Sequence, residues 1–89
     1  MAELREITPG VTARITEDGD GLVIDDGRGE PFRLEVPEHG IFYAWVPDPR
    51  HGICVVVAFD PPAMTSGWSD WTYRIDVAGR GLERIGPRR

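Results

Sequence analysis

The chain has no lysine, and all ten of its basic residues are arginine. It has one cysteine, Cys54, and no apolar run near the roughly 20 residues that a membrane-spanning helix needs. A single cysteine excludes an intramolecular disulfide framework and fits a reducing compartment, so a cytoplasmic location is expected. The opening residues, Met-Ala-Glu-Leu-Arg-Glu, lack the apolar segment of a secretory signal. Extended apolar spacing of helical period is also missing, as are a phosphate loop, a dinucleotide fingerprint and a nucleophile elbow. Arginine makes planar, bidentate contacts that lysine cannot, but so complete a bias is more simply a mark of GC-rich coding than of mechanism.

At 89 residues there is room for one domain, taken as residues 1–89 with 1–8 and 86–89 as ends able to fray. A chain this short buries only about two-thirds of its unfolded surface, so a partner or a second copy would help it. A hydrophobic content of 40% with three Trp, three Phe and two Tyr is enough for a core and argues against disorder. The net charge of −5 is uneven. Residues 1–48 hold eleven acidic residues against four arginines, a net −7, and residues 49–89 hold four against six, a net +2. An acidic half disfavours a phosphate backbone and so nucleic acid, and suits a basic protein partner, while the lack of a long apolar run leaves no membrane partner expected. The same charge also keeps a small apolar protein soluble.

Eleven Gly and eight Pro punctuate the chain at short intervals, in clusters such as Glu17–Gly21, Asp25–Gly29, Pro47–Gly52 and Gly79–Gly81. Between them lie segments of four to eight residues, the pattern of an antiparallel all-β domain. Strands are expected at about 11–16, 21–25, 31–36, 41–46, 53–60, 71–78 and 82–85. Ala2–Ile7 reads as one helical turn at most. The expected fold is a small hairpin-connected sandwich or partly open barrel of six to seven strands. Its core should draw on Ile15, Phe32, Leu34, Phe42, Ile53, Val55, Val57, Phe59, Tyr73, Ile75 and Val77.

The hairpin 41–59 is unusual because neither arm alternates apolar with polar residues, as a strand with one wet face does. Pairing Val46 with Ile53 across the loop Pro47–Gly52 gathers Phe42, Ala44, Val46, Ile53, Val55 and Val57 on one face. Ile41, Tyr43, Trp45, Cys54, Val56 and Ala58 then share the other. The first face reads as core. The second is either roofed by other elements or open to a partner.

Candidate sites are few. Loop 61–70 is the longest connection and carries Met64 and Trp68, residues of adaptable or large apolar contact. Trp68 reads more readily as a lid folded back over an open end of the core. Asp18, Asp20, Asp25 and Asp26 lie in turns. Asp18, Asp20 and Gly21 match part of an EF-hand loop, but Gly27 falls where the bidentate Glu is required and no helices flank it. His39, His51 and Cys54 have no paired-ligand spacing, so no metal is expected. No catalytic residue and no cofactor is expected either.

The function expected is that of a non-enzymatic cytoplasmic protein that binds another protein, such as a bacterial immunity protein or antitoxin covering a basic site. Its contact residues would be Tyr43, Trp45, Met64, Trp68, Asp18, Asp20, Asp25 and Asp26. One alternative is an assembly subunit that self-associates through its sheet. Another is a small ligand-binding barrel or enzyme with a pocket lined by Tyr43, Trp45 and Trp71.

Overall fold

In the computed structural model, which describes residues 4–63 and 67–88, the strands fall where the turn punctuation places them. They are β1 (Arg5–Thr8), β2 (Val11–Ile15), β3 (Gly21–Asp25), β4 (Phe32–Glu35), β5 (Gly40–Asp48), β6 (Gly52–Phe59), β7 (Asp70–Asp76) and β8 (Gly81–Pro87). One 3-10 turn, Pro61–Ala63, follows β6. The chain is all-β, built from two four-stranded antiparallel sheets in plain meander order, β1-β2-β3-β4 and β5-β6-β7-β8. The additional strand is β1, where the sequence reads a helical turn. Arg-Glu-Ile-Thr holds one apolar residue and so shows no period, yet Ile7 is buried in the core at a bulge opposite β2.

The two sheets pack their apolar faces together. The first contributes Ile7, Ala13, Leu22, Ile24 and Leu34, and the second Phe42, Val55, Val57, Phe59, Tyr73 and Ile75. Every core residue expected from the sequence lies in this cluster or packs against it. Leu22 and Ile24 are fully buried but hidden in the sequence, because Leu22-Val23-Ile24 is a continuous apolar run that names no face. Pairing resolves it: Val23 sits between Arg14 and Arg33 on the outer face.

The central hairpin departs from the expected register. Val46 pairs with Cys54, Trp45 with Val55 and Ala44 with Val56, one step from the simple reading, and a bulge at Tyr43 restores Phe42 opposite Val57. A one-residue slip exchanges faces. Trp45 therefore packs against the core cluster, while Ala44 and Val46 turn outward with Cys54 and Val56. The tight six-residue loop predicted the register that a bulge then altered, and Pro47, placed inside β5 rather than in the loop, marks the shift.

Each sheet edge is guarded against strand addition. In β5, Phe42 donates its N–H to the Gly19 carbonyl, Tyr43 is bulged and Pro47 has no N–H. In β8 a bulge and Pro87 do the same. The outer strands of the other sheet, β1 and β4, are four residues each, with Pro9 and Pro31 beside them. Pro47→Val restores an outward N–H at the longest edge. We expect light scattering to show concentration-dependent self-association of that variant while its unfolding midpoint stays within about 1 kcal/mol of the parent. A monomer at every concentration would refute the guarding role.

Candidate functional site: a groove between an acidic turn and strand β5

The turn from Thr16 to Gly21 is built by its own polar groups. Thr16 N–H donates to the Gly21 carbonyl (2.9 Å) and Gly19 N–H to the Thr16 carbonyl (2.9 Å). The Thr16 hydroxyl donates to Asp20 Oδ1 (2.9 Å) and accepts Gly21 N–H (3.1 Å). Arg33 on β4 reaches the same Asp20 oxygen at 3.2 Å and also pairs with Glu35. The Thr16 hydroxyl, aided by Arg33, holds the Asp20 carboxyl below the ordinary carboxylate range. Asp20 is therefore committed within the fold.

Gly19 places this turn on the other sheet. Its φ of +74° is a left-handed conformation, and its carbonyl accepts Phe42 N–H at 2.7 Å. A Cβ there would lie 2.9 Å from the Phe42 carbonyl oxygen. The close approach opens a groove of about 360 Å³ lined by Glu17 and Asp18 on one side and Ile41, Tyr43 and Trp45 on the other. The Glu17 and Asp18 carboxylates have no hydrogen bond or ion pair among the described residues, nor has the Trp45 indole N–H.

Tyr43 is the most telling wall. It is 48% exposed, yet its hydroxyl donates to Asp70 Oδ2 at 2.6 Å, reaching across β6 to the start of β7. Ser69 fills the second Asp70 oxygen at 3.0 Å. The Asp70 carboxylate, helped by partial burial, raises the Tyr43 phenol above its ordinary pKa. An exposed ring is thus held in place by a polar anchor rather than by packing. Ile41 beside it is 49% exposed.

The structure brings together three of the eight residues expected at an interface, Asp18, Tyr43 and Trp45, with Asp20 supporting the turn. It separates Asp25 and Asp26 from them. Asp25 and Asp26 lie at the far end of β3, about 15 Å away at strand rise, where their carboxylates accept the N–H groups of Gly27 (2.8 Å) and Arg28 (2.9 Å). Trp68 is 39% exposed, and its carbonyl accepts the Trp71 indole N–H at 3.0 Å. Met64 lies outside the described residues. The sequence does not single out Glu17, which reads there as one more acidic turn residue.

Trp71 does not share the groove. It lies beneath the Arg84 guanidinium, 4.4 Å from its ring centre, with Tyr73 and Phe59 nearby and the Arg84 Nε–H donating to the Tyr73 hydroxyl at 3.2 Å. His51 Nδ1 is 2.9 Å from Asp48, His39 sits beside Glu38, and Cys54 is fully buried with its thiol pKa raised by that burial. Among the described residues no group of three or more His, Cys, Asp or Glu is placed to hold a metal ion. No helix there is long and apolar enough to cross a membrane. No known protein family, curated protein or solved structure matches the chain.

Two measurements test this local account. Gly19→Ala forces a side chain into both a left-handed backbone and a 2.9 Å approach, and should lower stability in urea unfolding by about 1–2 kcal/mol or more. An unchanged midpoint would mean the turn is not seated on Phe42. Asp48 has its pKa lowered from 3.8 by the Arg50 N–H and then by His51. A carboxylate depressed in the folded state stabilises fully above its ordinary value and loses that contribution as pH falls through the lower folded one. Asp48→Asn should therefore flatten the stability profile below about pH 4, read as urea midpoints against pH. A profile as steep as the parent's would remove Asp48 from the acid response.

Proposed function

We propose that this chain is a non-enzymatic cytoplasmic protein that binds and inhibits another protein, in the manner of a bacterial immunity protein or antitoxin. The observation that carries this reading is the groove itself. It joins two carboxylates that have no partner among the described residues to exposed aromatic and aliphatic surface, in a chain whose first 48 residues carry a net −7. A basic loop of a target matches both features.

The two kinds of group do different work. An exposed ion pair contributes about 0.2–1 kcal/mol and is screened by salt, whereas a buried aromatic anchor contributes about 2 kcal/mol or more. Tyr43 and Trp45 therefore set how long a complex lasts, and Glu17 and Asp18 set how fast and in what orientation it forms. Asp25 and Asp26 lie beyond the roughly 8 Å over which charge acts at physiological salt, and add little at this site.

A capture experiment from the native host tests the reading when followed by an activity assay of the captured protein. The expected partner is basic and loses its own activity when the purified chain is added. Glu17→Gln with Asp18→Asn should slow association by about tenfold at low salt, and Tyr43→Ala should speed dissociation by about tenfold or more. A partner indifferent to all three changes, or one whose activity survives saturation, would overturn the proposal. Recovery of only the chain itself, as an oligomer in light scattering, would replace it with the assembly-subunit reading.

A further inference from the structure

We infer that the groove is a receptor for an arginine side chain presented on a loop of the partner, in preference to a lysine and to an added strand. The inference rests on the binding reading above and names what the groove accepts. Glu17 and Asp18 line it on one side, and Ile41, Tyr43 and Trp45 line it on the other. A guanidinium satisfies both at once, since its flat face stacks on a ring while its N–H fork meets a carboxylate. A lysine ammonium is a compact, strongly hydrated charge and must give up more water for poorer contact with the rings.

The fold uses this pairing internally. The Arg84 guanidinium lies 4.4 Å from the Trp71 ring centre, and that of Arg80 lies 4.7 Å from the Phe32 ring centre. The groove has aromatic residues and carboxylates that pair with none of the described residues, and no arginine is among the residues that line it. At about 360 Å³ it is near the lower end of the roughly 300–1,000 Å³ of small-ligand sites, enough for one long side chain with adjoining backbone. Tyr43 is already anchored by Asp70, so little ring freedom is lost when a guanidinium stacks on it.

Strand addition is the other way to occupy the flank of β5, and the backbone opposes it. The Phe42 N–H is spent on Gly19, Tyr43 is bulged and Pro47 has no N–H. A visiting segment finds an interrupted ladder. Side-chain insertion from a loop remains open.

Two unstructured hexapeptides test the inference, Gly-Ser-Arg-Gly-Arg-Ser and its counterpart with lysine at both arginine positions. Each is titrated into the full chain and followed by backbone NMR. The arginine peptide should shift resonances at 17–19 and 41–45 and bind about fivefold or more tighter than the lysine peptide. Asp18→Asn and Tyr43→Leu should each weaken it by about tenfold, with the spectrum otherwise that of the folded parent. Equal or tighter binding of the lysine peptide, shifts centred elsewhere, or slowed exchange of the Trp45 amide on binding, the mark of an added strand, would each overturn the inference. Its failure is separable from that of the wider reading. A partner inhibited through this groove, together with equal binding of the two peptides, removes the arginine preference alone. Arginine selectivity with no inhibited protein removes the inhibitor function alone.

Discussion

The contact between Gly19 and Phe42 is the constraint on which the rest of the surface depends. It is a backbone hydrogen bond between a turn of one sheet and the edge strand of the other, and only a residue without a side chain lets it form at 2.7 Å. Hydrophobic burial brings the two sheets together but is non-directional, so it does not set how they are offset. A short backbone bond at a left-handed glycine does. It fixes Glu17 and Asp18 opposite Ile41, Tyr43 and Trp45, and it consumes the N–H that would otherwise continue the β5 ladder. One interaction thus creates the groove and helps to close the edge beside it.

The two-sided hairpin has a physical explanation that needs no partner along most of its length. On β6, Val55 and Val57 face the other sheet, while Cys54 and Val56 on the opposite side are also fully buried. Val56 lies between Ala44 and Thr72, and the loop Pro49–His51 shares a groove with Thr72 and Ile85 over the outer face. The domain therefore covers both sides of its own central strand. What stays open among the described residues is the beginning of β5, where Ile41 and Tyr43 are about half exposed. The unmet apolar surface has contracted from a whole hairpin to one end of one strand, beside the free carboxylates.

Much of the fold was legible because its signals are local. Glycine and proline clusters mark the turns, and alternation in β2, β4 and β7 names the buried face residue by residue. Legibility fails where the information is not local. The single apolar residue of β1 has no period, and the run Leu22-Val23-Ile24 is equally apolar on both sides until its neighbours Arg14 and Arg33 decide. A bulge at Tyr43 is likewise silent in sequence, since nothing in Phe-Tyr-Ala-Trp announces an extra residue, yet it moves Trp45 from one face to the other. The candidate site was legible as residue types, with Asp18, Tyr43 and Trp45 named in advance. Their meeting was not, because it depends on a contact between residues 19 and 42 that no spacing rule reports.

Charge pairing within each sheet explains why this groove is distinctive among the surfaces. Arg33 is shared by Asp20 of the adjoining turn and Glu35 of its own strand, and Arg74 by Asp76 and Glu83 of the other sheet. These exposed pairs contribute little stability, but they settle the charges of the strands and leave the turns unbalanced. Asp25, Asp26 and Asp48 then spend their carboxylates on nearby backbone N–H groups, as turn residues do. Among the described residues, Glu17 and Asp18 do neither. A pair of carboxylates without partners is ordinary on a surface. Here it faces an exposed tyrosine that is already anchored and a tryptophan half in the core, on a flank that cannot extend its ladder. Side-chain recognition of a cation is the chemistry those three conditions have in common.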